Sequence, residues 1–404
     1  MPFEPIGVAI FALTYALVSA RRIWWLGLDR AAAALLGAVL CVTLRVLPPR
    51  DAIAAVDADT LLLLFGVMGM GAFLVLDRFF DVAEARLAAL AGRPALLLGA
   101  VVWGSGALAA LVTNDAVCVL GAPLVVRLIR RCELPPVPFL LALATGANTG
   151  SVATLVGNPQ NMLCGQLGGL AYGPYLLRMA PVAVAGLAVT QGVLWLAYRA
   201  RLVARPAPAE APVPLARSHL VTLGVIAATA AAYTLGAPLS WTAVAGVVAL
   251  LLLHRRDAQE VWRHVDWSLL LFFAGLFVVV AGLVHTGAVD AAFARFPLAP
   301  LERSPLRLAG VFLVGSNVVS NVPFILVVRE QMHGLADPRA AWTLLAMAST
   351  FAGNLTLLGS AANVIVAEAG REVGSFGFWE HLRVGAPIAL VTTLLGTLWL
   401  AAVP

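Results

Sequence analysis

Asn114 and Asn321 stand 207 residues apart, each preceded by a hydroxyl residue (Thr113, Ser320) and each interrupting a long apolar run. An amide side chain offers one carbonyl acceptor and two N–H donors. A helix that begins just after such an interruption aims its free N-terminal amides and the positive end of its dipole at the same point, which suits an anion. The carbonyls that close the preceding helix suit a small cation. A second pair of interruptions follows, Gly157-Asn158-Pro159-Gln160-Asn161 and Gly359-Ser360-Ala361-Ala362-Asn363, spaced by 202 residues. Pro159 removes a backbone donor, and the glycines permit close backbone approach. Four matched breaks define the candidate site. Thr113, Asn114, Asn158, Asn161, Ser320, Asn321, Ser360 and Asn363 are the expected solute-binding residues. Asp115, Asn114, Gly157, Asn321 and Gly359 are the expected coupling-ion residues, with a sodium ion at the tips as the one metal in view and no other cofactor.

Asp115 is the one carboxylate plainly inside an apolar segment. Such a group costs several kcal/mol at the bilayer centre and usually marks an ion or proton path. Its equivalent in the other half is Val322, so the halves are chemically unequal. Asp115 reads as a cation ligand or proton carrier, the alternative being a cap for the helix that follows. Asn148 and Asn354 precede the second pair of breaks and are expected to line the cavity. Cys118 and Cys164 lie near the first-half breaks, where they would meet a thiophilic solute or serve as small packing residues.

The elements that hold these residues follow from composition. Of 404 residues, 61% are hydrophobic and 12% charged, and the mean hydropathy is +0.94. A soluble domain of this size carries roughly a quarter charged residues, so lipid solvates much of this surface. Apolar runs of about 20 residues, enough to cross a ~30 Å core, recur along the whole length. The chain is an all-α polytopic membrane protein. The basic residues are all Arg, and the net charge of +5 is accounted for by cytoplasmic loops rather than by nucleic acid. Four cysteines without CxxC or Cys/His spacing indicate neither a disulfide framework nor zinc. The first 20 residues read as a membrane helix, since no basic residue precedes the apolar stretch. Trp24, Trp25, Trp262 and Trp267 fit an aromatic belt.

Apolar segments of the first half recur about 207 residues later, with Asp59 and Asp266 at equivalent starts. The expected organisation is a first repeat over 1–199, with a hairpin at 95–131 and a broken helix at 138–168. A Pro- and Arg-rich linker over 200–218 precedes a second repeat over 219–404, with a hairpin at 305–330 and a broken helix at 340–369. The 95–131 segment reads either as two spans or as a re-entrant hairpin, its non-helical tip tolerated only against protein or a water-filled cavity. If both interrupted segments are hairpins, each half has five spans, and five is odd. The repeats are then inverted, most arginines gather on one side, and the positive-inside rule puts the linker in the cytoplasm and both termini outside the cell's inner (plasma) membrane. Matched breaks in two repeats are the mark of a secondary transporter. No HExxH, Ser/Lys or paired-Asp arrangement within spans points to an enzyme, and no phosphate loop points to a primary pump.

The Thr/Ser-Asn tips, with Gly-Asn-Pro-Gln-Asn and Gly-Ser-Ala-Ala-Asn at the second breaks, resemble the ion transporter superfamily. That group holds citrate transporter-like permeases, divalent anion:sodium symporters and arsenite permeases. In the symporters the tips read Ser-Asn-Thr and the breaks end in Thr-Pro-Pro-Asn, together binding sodium and a carboxylate. The resemblance carries that role to Thr113, Asn114, Gly157, Asn158 and Asn161, and to Ser320, Asn321, Gly359, Ser360 and Asn363. It also implies a homodimer with a scaffold domain and a transport domain that moves as an elevator. Asp115 and Val322 replace the tip threonines, and Ala361-Ala362 replace the prolines. An acidic residue after the tip asparagine is closer to the arsenite permeases. The expected function is sodium- or proton-coupled transport of a small carboxylate or inorganic oxyanion. An arsenite efflux permease and a sodium/proton antiporter using Asp115 are the alternatives.

Overall fold

The computed structural model describes residues 5–19, 28–204 and 214–403, so Trp24, Trp25 and linker residues 205–213 lie outside the described residues. Its first ten α-helices are α1 (Pro5–Ser19), α2 (Arg30–Thr43), α3 (Pro49–Ala54), α4 (Ala58–Leu76), α5 (Phe79–Ala88), α6 (Pro94–Val112), α7 (Asn114–Cys132), α8 (Pro136–Gly150), α9 (Pro159–Gly168) and α10 (Tyr172–Tyr198). The next ten run in the same order: α11 (Arg217–Thr234), α12 (Leu239–His254), α13 (Ala258–Trp262), α14 (Trp267–His285), α15 (Ala288–Arg295), α16 (Pro305–Val319), α17 (Asn321–Met332), α18 (Pro338–Leu355), α19 (Ala361–Ala369) and α20 (Phe378–Ala402). No strand occurs among the described residues.

Local chemistry sets these ends. Proline opens α3, α6, α8, α9, α16 and α18, where its missing N–H costs nothing. Asp57 caps α4 through Thr60 N, and Asp266 caps α14 through Leu269 N. Both helices have 19 residues. Asp57, not Asp59, is therefore the counterpart of Asp266, and the outer helices repeat at 209 rather than 207 residues. Asp59 instead accepts a hydrogen bond from Ser240 Oγ at 2.8 Å. The spacing of the tips and apolar segments placed the repeat of these helices two residues out, because Asp57 and Asp59 both stand at one helix start.

Five described helices, α4, α6, α10, α14 and α20, are long and apolar enough to cross a membrane, whereas α1, α2, α12 and α16 are apolar but shorter. The 14 residues of α2 rise only about 21 Å, so helix length alone does not reproduce the expected ten full spans. The chain is a multi-pass membrane protein by this measure.

Small residues let the two halves interlock. A methyl added at Gly66 on α4 would come within 2.6 Å of the Ala243 backbone on α12, and one at Gly275 on α14 within 2.7 Å of the Ala34 backbone on α2. Gly275 and Ala243 each follow their first-half counterparts, Gly66 and Ala34, by 209 residues. Equivalent small residues thus meet with their partners exchanged, and small-residue contacts are how membrane helices gain dispersion energy without a hydrophobic drive. α10 and α20 pack together, each carrying a proline (Pro181, Pro387) that interrupts its ladder.

Candidate functional site

The four breaks form as real ends. Between α6 and α7 the chain turns at Thr113, and between α16 and α17 at Ser320. Both residues have positive φ, 127° and 70°, with ψ of 144° and 151°, a region that side chains other than glycine occupy only at a cost of about 1–3 kcal/mol. Thr113 recovers part of this by capping Ala116 N at 3.3 Å. Ser320 makes no side-chain cap. Ser320→Gly is therefore expected to raise the melting temperature of the purified protein while slowing transport, since a relaxed tip loses its fixed aim. A melt and a flux assay on one preparation check both halves of this.

Each tip is stitched to the break in its own half. Asn114 N donates to the Gly157 carbonyl at 2.9 Å, and Asn321 Nδ2 to the Gly359 carbonyl at 3.4 Å. A methyl at Gly157 would lie 2.1 Å from the Ser151 carbonyl oxygen, so no side chain fits there. At the breaks, Asn158 caps α9 through Asn161 N, and Ser360 caps α19 through Ala362 N.

Behind the tips runs a buried amide lattice whose pattern repeats at 202 residues. Asn161 Nδ2 donates to the Ser151 and Thr154 carbonyls, as Asn363 Nδ2 does to those of Gly353 and Thr356. The remaining oxygens reach across the halves: Thr350 Oγ1 donates to Asn161 Oδ1, and Asn148 Nδ2 to Asn363 Oδ1, both at 2.9 Å. Asn148 is the hub. Its Nδ2 also donates to Asn354 Oδ1 at 3.1 Å, while its Oδ1 accepts from Asn114 Nδ2 at 2.8 Å and Ser360 Oγ at 3.2 Å.

The expected site residues thus divide. Thr113, Asn114, Asp115, Ser320, Asn321, Gly359 and Ser360 line one cavity of about 1100 Å³. Gly157, Asn158, Asn161 and Asn363 stand behind it as braces, the three asparagines fully buried. Asn148 and Asn354, expected in the lining, belong to the lattice instead. They bond to neighbours on α7, α8, α18 and α19, with every amide hydrogen bond committed to protein. Cys118 and Cys164 are buried and absent from the lining.

Two tip atoms remain uncommitted. Asn114 Oδ1 and Asn321 Oδ1 are buried with no hydrogen-bond partner, an arrangement that costs about 1–3 kcal/mol per group and calls for an explanation at a site. The Asp115 carboxylate also makes no hydrogen bond or ion pair among the described residues; Thr113, not Asp115, caps α7. Capping therefore does not account for this carboxylate, which opens onto the cavity beside the orphaned amide oxygens.

Sequence reasoning missed Thr350 and Arg30 and named Gln160 only as part of its break. Thr350 follows Asn148 by 202 residues, so the repeat spacing itself pointed to it. Gln160 and Arg30 line the cavity, and no spacing signal marked Arg30.

Comparison with known proteins gives a consistent family. The silicon efflux transporter LSI3 of Oryza sativa subsp. japonica is 32% identical, over 98% of this chain and 97% of that protein. A Dictyostelium discoideum protein named as transporter arsB is 24% identical, over 92% of this chain and 87% of its own. Among solved structures, the Alcanivorax borkumensis YdaH transporter aligns with a TM-score of 0.55, covering 98% of this chain and 96% of that one at 16% identity, a likeness of fold. Residues 15–352 match the citrate transporter family. The chain accordingly belongs to the citrate transporter family, within the ion transporter superfamily of membrane transporters.

Proposed function

We propose that this transporter moves a small inorganic oxyacid anion by cation-coupled alternating access, with solute and coupling cation held between the two hairpin tips. The observation that carries this reading is the pair of orphaned Oδ1 atoms on Asn114 and Asn321, beside the unpartnered Asp115 carboxylate in one cavity. Two neutral oxygens and one carboxylate are hard ligands for sodium or, at Asp115, a carrier for a proton. The N-termini of α7 and α17 supply the positive ends of two dipoles for the anion. The name of the silicon efflux relative supports a hydroxylated inorganic solute, and the citrate transporter family keeps a carboxylate as the alternative.

On this reading the halves are inverted repeats, the protein sits in the plasma membrane as a homodimer with both termini outside, and the tip-bearing helices move as an elevator against α2, α4, α12 and α14. The reciprocal Gly66–Ala243 and Gly275–Ala34 contacts support that grouping, because they pair α4 with α12 and α14 with α2, and α4 also packs on α14.

The test is a thermal-stability screen of purified protein with silicic acid, arsenite, sulfate, phosphate and carboxylates, each with and without sodium and across pH. Stabilisation by an oxyacid that requires sodium or a pH change supports the proposal. A response to cations and pH alone would instead make the protein a sodium/proton antiporter. Loss of sodium dependence with retained pH dependence identifies the proton as the coupling ion.

A further inference from the structure

Arg30 opens α2 and faces two spaces at once. It lines the tip cavity and also a smaller chamber of about 270 Å³ on the other side of the second hairpin. Ser320, Pro323, Leu358 and Gly359 belong to both linings, as do Val18 and Phe272, so the two spaces adjoin at the second tip. The small chamber is mainly apolar, walled by Phe11, Phe272, Leu276 and Val279. Ser316 Oγ stands in it, buried with no hydrogen-bond partner.

The charges around Arg30 are otherwise committed or exposed. Asp29 is spent on capping Ala32 N at 2.8 Å. Asp266 caps Leu269 N, and Glu368 lies 3.7 Å from Arg371. Arg263 and His264 are exposed at the end of α13. Asp115 lies within the electrostatic field of Arg30 without forming an ion pair with it. Among the described residues no carboxylate comes within ion-pair distance of the Arg30 guanidinium, and it makes no hydrogen bond. A partly buried, unpaired cation in a membrane protein is costly and usually functional. A guanidinium matches an oxyanion through two parallel N–H donors, and unlike lysine it does not relieve its position by losing a proton.

We propose that Arg30 is the substrate-binding residue that selects the ionised form of the oxyacid, contacting it in the tip cavity and again in the chamber behind the second hairpin. The proposal rests on the transport reading above and deepens it. Neutral amides and hydroxyls at the tips hydrogen-bond a protonated oxyacid as well as its anion, and the helix N-termini favour the anion only through partial charges; the full charge of Arg30 separates the two. The shared lining keeps Arg30, fixed at the start of α2, within reach of the anion in either space as the second tip moves past it.

The experiment measures binding of silicic acid, arsenite, phosphate and sulfate to the purified full-length protein between pH 6 and pH 10. Wild type, Arg30→Gln and Arg30→Lys are compared. For wild type, affinity for the weak acids is expected to climb with pH as their anions appear, and phosphate and sulfate are expected to compete. Arg30→Gln should lose about ten- to a hundredfold in anion affinity and lose the pH slope, while its melting temperature without solute stays at or above that of wild type, because no hydrogen bond or ion pair is removed and an uncompensated charge is relieved. Arg30→Lys should keep the slope with weaker binding, and it carries the test if the glutamine variant does not fold. Unchanged affinity and slope in both variants would overturn the role of Arg30 and leave the transport reading standing. Failure of every oxyacid to bind wild type would overturn both.

Discussion

Asp115→Asn is expected to remove the sodium or pH dependence of solute flux and to lower its coupled rate about a hundredfold. Asn keeps the size of the side chain and one acceptor, and the α7 cap stays in place because Thr113 makes it. What disappears is the single carboxylate at the first-half tip, whose second-half counterpart is the apolar Val322. Interactions with a charged group are worth about 1.5–3 kcal/mol, and each 1.4 kcal/mol is tenfold. Flux in proteoliposomes under imposed sodium or pH gradients reads the effect directly. A variant that still concentrates solute with the wild-type ion dependence would show that Asp115 plays no part in coupling.

The largest stability effect belongs to Asn148→Ala. That substitution strands Asn354 Oδ1 and Asn363 Oδ1 without donors and deprives Asn114 Nδ2 and Ser360 Oγ of their acceptor. All four partners are buried. At about 1–3 kcal/mol for each unsatisfied group, the sum is roughly 4 kcal/mol or more, in the range reserved for broken buried networks. The comparison variant is Thr350→Val at the equivalent place, which breaks only the bonds to Asn161 Oδ1 and Asn158 Nδ2. Thermal melts should therefore rank Asn148→Ala well below Thr350→Val, with wild type highest. Equal melting temperatures for all three would mean that the lattice is not what joins the halves at the breaks.

Much of this arrangement was legible in the order of residues. A helix cannot continue through Thr113-Asn114-Asp115 or past Pro159 without leaving groups unpaired in lipid, so the breaks declared themselves where polar residues interrupted apolar runs. α6, α7, α16 and α17 end within two residues of the expected hairpin limits. What sequence did not disclose is which way each amide points. Asn114 and Asn161 look alike in a string of letters. One leaves a buried oxygen without a partner in a residue that lines the cavity, while the other spends its whole amide on Ser151, Thr154 and Thr350. That division depends on tertiary packing between α9 and α18, which no local spacing encodes. Arg30 escaped notice for a similar reason: at the start of α2 it reads as an interfacial charge, and only the fold turns it toward the second hairpin. The offset of the outer helices was obscured by two aspartates at one helix start, and the N-cap bonds resolved it.

A single cavity shared by both tips is the claim on which the functional account turns, and protection of engineered thiols tests it most directly. The four native cysteines are buried, so Ala116→Cys from the first half and Ala361→Cys from the second, both in the cavity lining, can be read separately with a small polar maleimide. The account predicts that the non-thiophilic oxyacid giving the strongest stabilisation, together with its coupling cation, slows labelling at both positions in parallel and with the same half-maximal concentration. Labelling that responds to solute at one position only, or at neither, would contradict it.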